Sequence, residues 1–250
     1  MGRTGVSFGF KLRCVVMATA ALLAGQAVAV VGGNPGGPLE ASAVMVLHDR
    51  GGFCTGSVLT RDVILTAAHC VPSGAQIRVH YRDGGQPVLL ETLAVVRHPE
   101  FRPKAVQERT RSIDMALIRL KAPLPARFDT VVLNSNASEG AVVVAGFGLS
   151  REGDAATAGT WRSASLQVTQ PFGPSRVLLW ARSAAGGGAC QGDSGGPLTD
   201  ASGTIVAVTS WSTGKNASRC GDLTQGVLVG SQRGWIDTTL ARWAQQASWR

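Results

Sequence analysis

Beyond residue 30, the apolar positions fall into short runs broken by turn residues. In the first half the clearest lie at 44–47, 63–66, 77–81, 88–97 and 115–120. In the second half they lie at 142–147, 165–169, 177–180, 205–211 and 226–229. These runs are rich in Val, Ile, Leu and Thr and have strand lengths, which predicts an all-β architecture. One segment breaks the pattern. Across residues 233–244, Trp235, Ile236, Leu240 and Trp243 recur at near-helical spacing, predicting a C-terminal amphipathic helix packed on the body of the protein. The Pro-rich stretch Ala122-Pro123-Leu124-Pro125 is followed by polar Asn134-Ser135-Asn136, so a boundary is expected there, between units 30–135 and 136–250.

Composition supports many short strands. The chain has 250 residues, enough for one large β domain or two packed ones. Hydrophobic residues make up 44% and charged ones only 16%, which argues against disorder, and 32 glycines suit a fold with frequent tight turns. The formal net charge is +8, but Lys and Arg are scattered with no run of five. A solvated basic surface is the expectation, not nucleic-acid binding.

The first 29 residues have another character. Arg3, Lys11 and Arg13 precede an apolar run over residues 14–24, and Ala27-Val28-Ala29 fits the small-x-small cleavage rule. This predicts a signal peptide at 1–29, since the run is shorter than the roughly 20 residues of a membrane span. Gly25-Gln26-Ala27 also fits the rule and would place the cut two residues earlier. Removing 1–29 takes away three positive and no negative side chains and leaves +5. The expected location is outside the cytoplasm, secreted or periplasmic, with no stable membrane insertion once the signal is gone.

That cut also removes Cys14. Cys54, Cys70, Cys190 and Cys220 remain, an even set that reads as two disulfides in an exported chain. Spacing alone allows three pairings. No cysteine or histidine cluster has zinc-ligand spacing, so no metal is expected.

Three local motifs carry candidate chemistry. Leu65-Thr66-Ala67-Ala68-His69-Cys70 is a strand ending in a histidine. In residues 112–120, Asp114 enters an apolar strand. Gly192-Asp193-Ser194-Gly195-Gly196-Pro197 places a serine in a turn rich in glycine. A serine hydroxyl needs a base to become a nucleophile, and a histidine oriented by an acid is a common one. Singly, each motif has a bland reading as a structural histidine, a capping aspartate and a turn. Together, in the order His, Asp, Ser, they resemble the chymotrypsin/trypsin-like serine protease family. Val30-Val31-Gly32-Gly33, Phe53-Cys54-Thr55-Gly56-Ser57, Gly146-Phe147-Gly148, Ser210-Trp211 and the terminal helix extend the likeness over most of residues 30–243.

The resemblance implies two packed six-stranded antiparallel β-barrels with a C-terminal helix, and a site in the crevice between them. It implies a monomeric endopeptidase acting on protein or peptide substrates without a cofactor. By it, His69, Asp114 and Ser194 form the catalytic triad, and the N–H groups of Gly192 and Ser194 form the oxyanion hole. Ser210 supports Asp114. A new Val30 amine pairs with Asp193. Gly188, Ala189, Ser210, Trp211, Ser212 and Gly226 line the primary substrate pocket. The disulfides pair Cys54 with Cys70 and Cys190 with Cys220.

Some features depart from the family. Gly188 stands where trypsin-like members carry the Asp that receives Arg or Lys, so small or medium apolar side chains are expected on the acyl side of the cut. Asp222 is the one acid that a rearranged loop could bring inward. The acidic residues of the family's calcium loop have no match near residues 81–86. The rival class is a catalytically weak binding protein on a protease scaffold. A hydrolase of another fold would place its nucleophile ahead of its histidine.

Overall fold

The computed structural model describes residues 1–2, 30–108, 110–184, 186–216 and 218–250. The predicted signal peptide therefore lies almost wholly outside the described residues.

The first half of the chain forms a closed six-stranded antiparallel barrel. Its strands are β1 (Ala43–His48), β2 (Phe53–Thr60), β3 (Val63–Thr66), β4 (Ile77–Asp83), β5 (Gln86–Arg97) and β6 (Ala116–Leu120). The order is β1-β2-β3-β6-β5-β4, closed by β4 on β1. Between β4 and β5, Asp83 faces Gln86 across Gly84-Gly85. Both glycines hold positive φ, 54° and 81°, as a two-residue hairpin turn requires. Asp83 there is spent on Arg127, 3.2 Å away.

The second half forms the other barrel. Its strands are β7 (Ala141–Gly146), β8 (Arg162–Thr169), β9 (Leu178–Arg182), β10 (Pro197–Thr199), β11 (Ile205–Thr213) and β12 (Leu223–Leu228). They run β10-β7-β8-β9-β12-β11, closed by β10 on β11. A single helical turn, α1 (Ala105–Glu108), lies in the loop between β5 and β6, and α2 (Arg233–Ala241) follows β12.

The barrels share a core. Val44, Val58, Ile64 and Ile118 of the first join Leu124 and Leu133 of the connection, Ile205 and Val227 of the second, and Ile236 and Leu240 of α2 in one cluster. Ile236 and Leu240 have no exposed surface, as the helical spacing predicted. Strands β2 and β10 did not stand out in the sequence. The sequence of β2, Phe-Cys-Thr-Gly-Ser-Val-Leu-Thr, interrupts its apolar residues with Gly and Ser, yet six of its eight residues are buried. It is enclosed on both faces, so no alternation was available to read.

Candidate active site

Neighbouring strands of the first barrel assemble the histidine and the aspartate. Strands β3 and β6 pair with Thr66 opposite Ala116. His69 lies in the 3-10 turn Ala68–Cys70 just after β3, and Asp114 just before β6. The same antiparallel register therefore brings them to one end of the barrel. The disulfide Cys54–Cys70 fastens that turn to β2.

The contacts are short and directional. Asp114 Oδ1 accepts the His69 backbone N–H at 2.9 Å, and Oδ2 accepts His69 Nδ1–H at 2.6 Å. Ser210 Oγ, from β11 of the second barrel, donates to Oδ2 at 2.6 Å. Burial would raise the Asp114 pKa, but the charge of His69 and the hydrogen bonds from His69 and Ser210 together hold it below the usual aspartate value. Burial likewise pulls His69 down, and the hydrogen bond and charge of Asp114 outweigh it, so His69 sits above the ordinary 6.5. The proton on Nδ1 leaves Nε2 as the acceptor. The His69 side chain keeps 40% of its surface exposed, so a reactant can reach it.

Ser194 sits in the turn ahead of β10, clamped between the barrels. Its carbonyl accepts Thr55 N–H at 2.8 Å, and Gly195 N–H donates to Thr209 O at 2.7 Å. Gly195 has φ 81°, and a Cβ there would collide with Thr66 Oγ1 and Thr55 O. Gly192 has φ 96°, and its Cβ would enter the Phe53 ring. Both positions therefore demand glycine. Among the described residues, the N–H groups of Gly192 and Ser194 and the Ser194 hydroxyl have no hydrogen-bond partner. Thr55, which the sequence offered only as part of a family mark, links the loops: its hydroxyl donates to Gly192 O at 2.8 Å and accepts Phe147 N–H at 3.0 Å.

Asp193 is fully buried and accepts N–H groups from Gly148 at 2.8 Å and Cys190 at 2.9 Å. Burial pushes its pKa up to about 7, against the smaller lowering effects of those two bonds and of Arg162. Val30 is also fully buried, in the cluster containing Val142, Val144, Leu166 and Ala189. Its nitrogen, still joined to residue 29, is an amide and carries no charge. Val30 holds φ 48°, a left-handed conformation that is costly for a β-branched residue. Val31 is half-buried, its carbonyl accepting Gly188 N–H at 2.9 Å.

The expected pocket residues divide. Gly188 and Ala189 are buried beside the disulfide Cys190–Cys220, which the structure forms as the resemblance implied. Ser212 donates to Arg219 O at 2.9 Å. Gly226 does not lie across from Gly188. A Cβ on it would meet Leu198 Cδ1 at 2.5 Å and Ala207 Cβ at 2.9 Å, inside the second barrel. A bulge between Thr209 and Trp211 in β11 shifts the pairing with β12. The residue that faces Gly188 is Thr224, fully buried, whose Oγ1 accepts Ala189 N–H at 3.0 Å and lies 2.8 Å from where a Gly188 Cβ would stand. Its place on β12, two residues before Gly226, was the only sequence signal for it. Asp222 turns away toward Arg182, 3.6 Å distant.

A cleft of about 990 Å³ runs alongside. His69, Asp114 and Ser210 line it, together with Phe172, Val177, Leu178 and Trp211. Of the other histidines, His98 packs at a tilt against Trp235, ring centroids 4.8 Å apart, and His80 Nδ1 faces Val88 O at 3.0 Å, as structural residues do. Cys54 and Cys70 lie close to His69 but are joined to each other.

The Trypsin family model matches residues 30–235. The chain belongs to the trypsin family. It is a serine endopeptidase, a hydrolase. Trypsin epsilon of Drosophila erecta is 30% identical over 68% of this chain and 70% of its own length. A trypsin-like protease of Streptomyces glaucescens is 30% identical over 74% and 73%. In fold, the chain resembles neuropsin, a serine protease expressed in the limbic system of mouse brain, with a TM-score of 0.71. That likeness covers 84% of this chain and 99% of neuropsin at 22% identity. Two six-stranded barrels and a C-terminal helix are thus the family's architecture, reached here from a sequence that shares under a third of its residues with these relatives. Among the described residues, no helix of this trypsin-family chain is long and apolar enough to cross a membrane.

Proposed function

We propose that this chain is exported and cuts peptide bonds through an acyl-enzyme formed on Ser194. The arrangement that carries this reading is the Asp114 carboxylate, which fixes His69 through both its ring and its backbone N–H and is itself held by Ser210. His69 Nε2 takes the hydroxyl proton as Ser194 Oγ attacks the scissile carbonyl. The tetrahedral oxyanion is received by Gly192 and Ser194 N–H, which have no acceptor among the described residues. His69 returns the proton to the leaving amine, and water repeats the sequence to release the acid.

The enzyme becomes active when the chain is cut after Ala29. Three observations support this. The family match begins at residue 30. Val30 is already buried near the second-barrel core with a strained φ, and a terminal residue has no φ to strain. Asp193 is a buried carboxylate with no ion-pair partner among the described residues, the charge of Arg162 being the smallest influence on it, and a Val30 ammonium would supply a partner. Since Ala27-Val28-Ala29 is itself a signal-peptidase pattern, one cut both exports and activates.

Gly188, Ala189 and Thr224 offer no charge to an incoming cation, and Asp222 is engaged with Arg182. The preference is therefore for small or medium apolar side chains on the acyl side of the cut. The deciding experiment mixes the purified mature chain with a chromogenic ester. A burst of the chromogenic alcohol, released as the acyl-enzyme forms and abolished by a phosphonate that mass spectrometry then finds on Ser194, is expected. Peptide binding without burst or adduct would turn the reading to a binding protein on a protease scaffold.

A further inference from the structure

The cleft beside His69 is rich in arginine. Arg50, Arg97, Arg102 and Arg111 all line it, and the single carboxylate among its described lining residues is Asp114, already held by His69 and Ser210. Arg50 lies in the turn before β2 and Arg97 at the end of β5. Yet both converge on Ser73: Arg50 Nη2 donates to its carbonyl at 2.7 Å and Arg97 Nη2 to its hydroxyl. Two guanidiniums drawn to one residue repel each other, and among the described residues neither has an ion-pair partner. The Arg102 side chain has no hydrogen bond or ion pair there either. Only Arg111 is neutralised, by Glu100 at 2.8 Å. The second half of the chain adds Phe172, Val177, Leu178 and Trp211 to the lining, beside the uncharged Ser175, Ser210 and Gln225. It therefore brings no charge to offset these cations, and low-dielectric surface focuses their field into the cleft.

We infer that the cleft selects peptides that carry Asp or Glu two to four residues from the scissile bond, received by Arg97 and Arg102 with Arg50 adding to the field. This deepens the proposed hydrolytic reading and rests on it. A guanidinium accepts a carboxylate in a bidentate fork, and a carboxylate brought between unpaired cations relieves their mutual repulsion. The discrimination is electrostatic, so it acts on kcat/KM and weakens with salt.

The test uses octapeptides that share one small apolar cut residue and carry Glu, Gln or Lys singly at the second, third or fourth position on either side. At low ionic strength, kcat/KM for Glu is expected to exceed that for Lys about fivefold to tenfold at one or more positions. The ratio should shrink toward parity in about 1 M salt, where the Debye length is about 3 Å. In Arg97→Gln and Arg102→Gln the ratio should fall at least twofold. Equal rates for Glu and Lys at every position, or a preference that neither salt nor these substitutions reduce, would overturn the inference. If the purified chain cleaves none of the peptides and Ser194→Ala behaves identically, the hydrolytic reading fails first and this inference falls with it.

Discussion

Two buried aspartates, one serving each barrel's contribution to the site, have opposite acidities. Asp114, beside the first barrel's His69, lies below the usual aspartate pKa, while Asp193, beside the second barrel's Ser194, is pushed up to about 7. Burial opposes the charge in both. The difference is in the partners. Asp114 has an imidazole that can carry a full charge, plus N–H and hydroxyl donors. Asp193 has two backbone amides and the weaker field of Arg162. In the proposed mechanism, folding thus completes the acid–base half of the machinery, and among the described residues the nucleophile half still lacks an ion-pair partner for its acid. The division matches the proposed activation, in which the missing cation is a terminal amine made by a cut.

The largest effect is expected at Asp114. Asp114→Asn keeps the shape but offers His69 an amide in place of a carboxylate, which neither stabilises the imidazolium nor fixes the Nδ1–H tautomer. A fall in kcat of about 10⁴ is expected, with an unchanged circular dichroism spectrum. Turnover within tenfold of the parent would mean that the first-barrel network is structural only.

The next test concerns Asp193. A mature chain that keeps Ala29 ahead of Val30 has an amide at the critical nitrogen, and its oxyanion loop lacks the ion pair. Loss of the oxyanion donor geometry predicts a fall in kcat of about 10²–10³. Stability should follow pH with a definite sign. Asp193 has a folded pKa of about 7 against an ordinary 3.8, so the extended form binds more protons folded than unfolded between those values. Its stability therefore falls as pH rises through that window. In the form beginning at Val30 the amine offsets this loss until the pH climbs through the raised amine pKa. The gap in Tm between the two forms should thus widen from pH 4 to 7 and close again in alkali. A gap independent of pH, with equal activity, would sink the activation hypothesis.

How much of this could be read from the residues depends on how local the cause is. The strands of alternating or continuously apolar residues and the helix with Ile236 and Leu240 inward were legible, because periodicity reports burial directly. The motifs around His69, Asp114 and Ser194 were legible because each spans a few consecutive residues. Strand β2 was hidden, since Gly56 must stay small where a Cβ would meet Ile64 Cγ2 at 2.5 Å, and that demand comes from a neighbouring strand. The placement of Thr224 instead of Gly226 opposite Gly188 depended on a bulge in β11, which no composition signals. The convergence of Arg50 and Arg97 on Ser73 joins residues distant in sequence and could come only from the barrel's closure.

The smallest and most discriminating effect is expected at Ser210, the second barrel's one donation to the first barrel's network. In the proposed mechanism it touches no reacting atom and acts on His69 through Asp114, as a positioning residue. Its hydrogen bond at 2.6 Å is among the influences that lower the Asp114 pKa. Without it, the Asp114 carboxylate becomes more basic and holds the His69 proton more tightly. Since His69 must be neutral to act as base, activity falls as pH drops through its pKa, which already lies above 6.5. Ser210→Ala should therefore move that acidic limb to higher pH and lower kcat about tenfold at pH 8. This matches the lower end for a hydrogen bond to a charged group, about 1.5 kcal/mol. Ser210→Thr, which keeps a hydroxyl, should restore most of the limb's position. A tenfold loss with an unmoved limb would show that Ser210 only spaces the barrels. A moved limb restored by Thr would show that one barrel sets the basicity of the other's histidine.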